Sequence, residues 1–173
     1  MTRFRSLEEM FYPILIASQS FPKEALAPLF LLWLGYGVIP KIVIAGLISF
    51  FPIVINTIKG LTSVNPLAMD LMKSMAATER NIFFKLRLPG ALPYVLAGLK
   101  TGVVLSVVGA VVGEFVGANA GLGHVMIVAN SQLATDLVFA VLLLLGGTGI
   151  ILFSIISLAE RRILYWMEEE RKS

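Results

Sequence analysis

Residues 137–159 contain no charged side chain, and no other feature of this chain limits its fold so strongly. A bilayer core is about 30 Å thick, and about 20 apolar residues of helix cross it. Lipid offers no hydrogen-bond partners, so such a segment satisfies its backbone as a helix. Three more segments match the same requirement. Residues 42–58 are flanked by Lys41 and Lys59, and residues 92–115 carry Lys100 near one end and Glu114 at the other. Residues 12–34 are the irregular case, holding Gln19, Lys23, Glu24, Pro13, Pro22 and Pro28. Composition agrees. Of 173 residues, 57% are hydrophobic and 14% charged, against about 25% charged in a soluble domain. An ordinary cytosolic enzyme, a disordered chain and a nucleic-acid binder are excluded. The expectation is a single all-α domain, a polytopic membrane helical bundle of four transmembrane helices. Cysteine is absent, which removes disulfides, thiol nucleophiles and thiolate metal sites.

Basic residues set the expected orientation. With the N-terminus inside, Arg3, Arg5, Lys59, Lys73, Arg80, Lys85, Arg87, Arg161, Arg162, Arg171 and Lys172 are all cytoplasmic, eleven of the fourteen basic residues. Lys41 alone falls outside, and Lys23 and Lys100 lie within spans. Both termini and the 60–91 loop are therefore expected in the cytoplasm. Trp33 and Tyr36 would sit at the outer boundary, and Tyr165 and Trp166 at the inner one, where amphipathic rings belong. The first eleven residues are polar, with no apolar core of a signal peptide. Glu168, Glu169, Glu170, Arg171 and Lys172 read as a short solvated tail.

The cytoplasmic loop carries the most information. Asn65 followed by Pro66 is a helix start, a capping side chain and then proline at the first helical position. Asp70 falls in the first turns, near the positive end of the helix dipole. Leu67, Leu71 and Met75 recur every fourth residue and form one apolar stripe, with Lys73 and Arg80 off it. Thr78 then caps a second short helix with Ile82, Phe83 and Leu86 buried, and Leu88-Pro89-Gly90 is expected to end it as the chain re-enters the membrane. Such a helix pair either lies on the inner leaflet or docks a soluble partner that covers its apolar face.

This loop resembles the signature loop of permease subunits in bacterial binding-protein-dependent ABC importers. That signature runs Glu-Ala-Ala, three residues, Gly, about nine residues, a hydrophobic residue, one more, then Leu-Pro. Anchored on Leu88-Pro89, the acidic position falls on Asp70, the two alanines on Leu71 and Met72, the glycine on Ala76 and the hydrophobic position on Leu86. The flanking runs YPILIASQSFPKEALAPLFLLWLGYG and FFPIVINTIKGLTSVNP resemble the nitrate/sulfonate/taurine branch, as do LPGALPYVLAGLKTG, GEFVGANAGLGHVM and LAERRILYW. The resemblance covers about residues 7–166. It implies half of a solute pathway, coupled to a cytoplasmic ATP-binding subunit through the 65–89 loop. Asp70, Leu71, Met72, Met75, Ala76 and Arg80 would form the coupling helix and its exit, and the segment ending at Leu88 and Pro89 would brace it. The implied partners are that ATPase, a second permease copy in a homodimer, an extracytoplasmic solute-binding protein and membrane lipid, with no nucleic acid. The implied site is the bacterial inner membrane. No chemistry and no cofactor are implied, and the chain lacks a Walker A pattern. Family members usually begin with one or two further spans. Here Met1 lies eleven residues before Tyr12, so the expectation is the C-terminal two-thirds of a permease: a truncated or mis-started gene product, a fragment, or a natural short form.

A few polar residues remain. Lys23 and Glu24 beside Pro22 read either as pathway-lining charges at a helix break or as a mutually neutralising structural pair. Glu114 reads as a pathway group or as the cap of a helix end, and Asn119 lies in the turn-rich outer segment 116–134. Gly113, Gly117 and Gly121 recur every fourth residue, and Gly146, Gly147 and Gly149 cluster in the last span; both sets are expected to admit close helix packing. His124, the single histidine, reads as a hydrogen-bonder and not a metal ligand. A non-transporting remnant of a permease is the alternative function. A membrane-embedded enzyme would need facing catalytic groups that the sequence does not offer.

Overall fold

The computed structural model describes Ala17 and residues 21–165. Expectations for Arg3, Arg5, Tyr12, Pro13, Gln19, Trp166 and the charged tail lie outside the described residues. A 3-10 turn at Lys23–Leu26 leads into α1 (Ala27–Leu34), followed by α2 (Val38–Thr62) and the loop helix α3 (Pro66–Ser74). A short α4 (Glu79–Ile82), a π segment (Phe83–Arg87) and α5 (Leu88–Gly117) come next, then α6 (Leu122–Ser131) and α7 (Thr135–Ile163). Among the described residues every regular element is helical. Three helices are long and apolar enough to span a bilayer: α2, the continuous run Glu79–Gly117, and α7. They correspond to the second, third and fourth expected spans, each longer than the apolar run that announced it. Of the first expected span, the described part is Ala17 and the stretch from Phe21 through the 3-10 turn to the end of the eight-residue α1.

The turn between α1 and α2 needs glycine. Gly35 (φ 76°) and Gly37 (φ 144°) both adopt backbone angles that side chains disfavour, and they reverse the chain around Tyr36. The reversal lays Ala27 against Ile44 and Ile48 of α2, the buried cluster of this end of the bundle.

α2 and α5 run antiparallel along their whole length, and small residues set their separation. A Cβ at Gly109 would lie 2.6 Å from the Cα of Ala45, and one at Gly98 would lie 2.9 Å from the Cβ of Asn56. At Gly102 it would meet Ile53 at 2.8 Å, and at Gly113 the Cα of Lys41 at 3.1 Å. At the other end Gly60 of α2 takes the same role against Tyr94 and Ala91. In lipid there is no hydrophobic force between helices, so contact of this kind supplies the association. Polar side chains on α2 bond within their own helix: Asn56 Nδ2 donates to Pro52 O (2.8 Å) and Thr57 Oγ1 to Ile53 O (2.7 Å).

Two expectations are corrected here. The chain does not break at Leu88-Pro89-Gly90, because helix continues from Glu79 through Gly117. The Leu88 N–H donates to Phe83 O, so the hydrogen-bond ladder has slipped to a π register just ahead of Pro89. Pro89 then falls in the first turn of α5, where its missing N–H is tolerated. Nor do Gly146, Gly147 and Gly149 seat a neighbouring helix: among the described residues nothing lies within 4 Å of a Cβ built on any of them.

Candidate functional site

α3 is fixed at both ends by its own sequence. Asn65 Oδ1 accepts the Leu67 N–H (2.9 Å), and Pro66 fills the first turn. At the C-terminus the Ala77 N–H reaches Met72 O (3.0 Å) and the Ala76 N–H reaches Lys73 O (2.9 Å), a Schellman turn that places Ala76 at φ 53°. A nine-residue helix held this way presents a defined face. Met69 turns inward and is 8% exposed, with Met72 half-buried beside it. The predicted stripe faces out: Leu67, Leu71 and Met75 are 78%, 61% and 71% exposed. Asp70 lies in the second turn, exposed, with its carboxylate 3.8 Å from the Lys73 ammonium, a surface pair of little energetic weight.

The return segment is anchored more deeply. Thr78 Oγ1 accepts the Asn81 N–H at 3.3 Å and starts α4 as expected. Ile82 is buried, while Phe83 and Leu86 are half-buried. Phe83 and Phe84 meet edge to face at 5.2 Å, and the Arg80 guanidinium lies 6.0 Å from the Phe84 centroid. Leu88 and Pro89 follow on α5. The structure thus gathers Asp70, Leu71 and Met72 on one short capped helix with Met75 and Ala76 in its closing turn, and the turn over 75–78 joins it to the helix that runs unbroken from Glu79, through Arg80 and the π segment, into a span.

The other candidate residues do not converge. The Lys23 ammonium sits 4.3 Å from the Phe51 ring centroid, while Glu24 is exposed. No ion pair joins the two among the described residues, so they do not neutralise each other. Glu114 lies beyond them, at the far end of α5, where its Oε2 accepts the Gly123 N–H at 2.7 Å. This carboxylate from α5 caps the N-terminus of α6, which has no cap of its own. Gly121 (φ 124°) and Gly123 make room for it, since a Cβ on either would run into Glu114. Gly113 and Gly117 pack against neighbouring helices as expected, but Gly121 belongs to this cap and not to the packing series. Asn119 is exposed in the connecting turn, and His124 is half-buried in the first turn of α6.

One interaction escaped the sequence reading. Lys100 of α5 and Glu160 of α7 form an ion pair at 2.6 Å, with the ammonium 5.6 Å from the Phe153 ring centroid. Lys100 lies near one end of the third expected span, and Glu160 directly follows the uncharged run 137–159 that marks the fourth. Matching depth was the available signal.

A family model described as the inner membrane component of binding-protein-dependent transport systems matches residues 1–165. A formylaminopyrimidine transport permease of Halalkalibacterium halodurans is 42% identical over 164 residues, covering 95% of this chain and 66% of the relative. A riboflavin transport system permease of Chloroflexus aurantiacus is 36% identical over 162 residues, 94% of this chain and 60% of the relative. The taurine transport system permease of Escherichia coli is 30% identical over 157 residues, 91% of this chain and 57% of the relative. The chain spans less than two thirds of each of these relatives.

Proposed function

The chain belongs to the family of inner membrane components of binding-protein-dependent transport systems, and from that premise we propose that it is the permease subunit of an ABC importer. It contributes half of a solute pathway and is driven by a separate cytoplasmic ATPase. The observation that carries this reading is the outward apolar stripe of α3. Leu67, Leu71 and Met75 are exposed on a helix too short to hold its shape without its caps, at a loop and not in the lipid-facing part of a span. Water is a poor neighbour for that stripe, and a groove on a soluble subunit suits it. A push on α3 reaches the spans through Arg80, the π segment and α5, and rigid-body rocking of packed helices would follow. In this reading the loop and both termini are cytoplasmic, and a second copy and an extracytoplasmic binding protein complete the assembly. The names of its relatives point to small solutes: formylaminopyrimidine, riboflavin, sulfonates or taurine.

The test is affinity purification of the tagged chain in mild detergent, with mass identification of every copurifying band. An ATP-binding subunit should be recovered, and Leu71→Glu together with Met75→Glu should release it while the permease stays in the membrane. Loss of nothing on that double change, or no ATPase with the native chain, would sink the reading.

A further inference from the structure

We propose that Lys23 lines a water-filled stretch of the solute pathway at mid-membrane and makes that stretch attractive to anionic groups. The inference deepens the permease reading and rests on it. Phe51, under the Lys23 ammonium at 4.3 Å, lies thirteen residues from one end of α2 and eleven from the other. At 1.5 Å per residue this is about 20 Å and about 16 Å. The charge therefore sits near the middle of the span, farther from either interface than a lysine stem can snorkel.

Three features point to water and not lipid at this depth. Lysine is expensive in hydrocarbon and, when present, faces a cavity or a counter-charge. No carboxylate lies within ion-pair distance of Lys23 among the described residues. The adjacent Glu24 projects elsewhere, because successive side chains on a 3-10 turn are about 120° apart. The backbone is irregular at the same depth. Phe21 and Pro22 lie outside any helix, the 3-10 turn Lys23–Leu26 that follows has no buried residue, and it faces continuous α2 at Phe51, beside Pro52. Non-helical backbone at membrane depth is tolerated only when buried in protein or lining water. What remains is a cation over an aromatic face, beside backbone that is not buried in the protein. Such a group recognises sulfonate, carboxylate or another acceptor-rich oxygen cluster and repels a cation.

The absence of cysteine makes the test direct. Single cysteines are introduced at Ala25 and, separately, at Phe51 in the full chain, in native membranes with its partner subunits. Modification rates are measured with anionic 2-sulfonatoethyl methanethiosulfonate and cationic 2-(trimethylammonium)ethyl methanethiosulfonate. Both positions should react, and Lys23→Gln should lower the anionic-to-cationic rate ratio about tenfold, while Lys23→Arg preserves it. Failure of either reagent to react, or a ratio indifferent to Lys23→Gln, overturns the proposal. ATPase recovery from the same membranes separates the two readings. ATPase present with unreactive cysteines defeats this site alone, whereas a charge-selective site without any ATPase defeats the permease reading.

Discussion

Single residues carry more of this architecture than their small size suggests. Ala76 closes the loop helix at φ 53°, a left-handed angle that costs a side-chain-bearing residue about 1–2 kcal/mol. The family signature puts glycine there. Ala76→Gly should raise stability by about 0.5–1 kcal/mol once the greater freedom of glycine in the unfolded chain is deducted, visible as a higher Tm in detergent. A lower Tm would mean that the turn is not the Schellman closure described. Glu114 works in the opposite direction. Its carboxylate holds the Gly123 N–H at 2.7 Å, and Glu114→Ala leaves the N-terminus of α6 uncapped at a cost of about 1–2 kcal/mol. Gly121→Ala should cost at least as much, because the new Cβ displaces the same carboxylate. Hydrogen exchange confined to the first turn of α6 would report both. Chain order left Glu114 two readings, pathway or cap. A side chain reaching nine residues ahead to an amide is not visible in any periodicity, and the fold shows the cap.

Helices were the most legible elements, since apolar length alone marks a span. Their ends were less so. α2 begins four residues before the apolar run, at Val38 after Gly37, and ends four after it, at Thr62, because turns and not hydropathy stop a helix. Pro89 shows the same limit: a proline reads as a break, yet a π register beside it lets the rod continue. Glycine is the sharpest case. The sequence shows small residues on α5 and α7 alike, but a Cβ on Gly109 would stand 2.6 Å from Ala45, whereas Gly146 faces open space. Gly109→Ala should therefore destabilise by about 1–3 kcal/mol. Gly146→Ala should be neutral or stabilise by up to about 1 kcal/mol, the difference in helix propensity. Equal effects in parallel thermal unfolding would contradict the seam between α2 and α5.

For the whole molecule, the Lys100–Glu160 pair joins α5 to α7 at 2.6 Å with both side chains about one-fifth exposed. It makes the last span follow the helix that rises from the loop. Lys100→Gln and Glu160→Gln should each destabilise, with a coupling of about 0.5–2 kcal/mol in a double-mutant cycle. The exchanged pair, Lys100→Glu with Glu160→Lys, should recover most of the loss. No recovery would show that the two charges act separately. Sequence by itself determined that the chain lives in a bilayer, that its spans are helices, that a capped amphipathic helix lies between two of them, and that this loop resembles a permease signature. The reason is that apolar length and capping are local properties, written in consecutive residues. Only the tertiary structure decided which glycines touch a neighbour, that Glu114 caps α6, that Lys23 rests on Phe51 and not on Glu24, and that Lys100 finds Glu160 sixty residues away. Those outcomes depend on how helices rotate and slide against each other, and no run of adjacent residues encodes that.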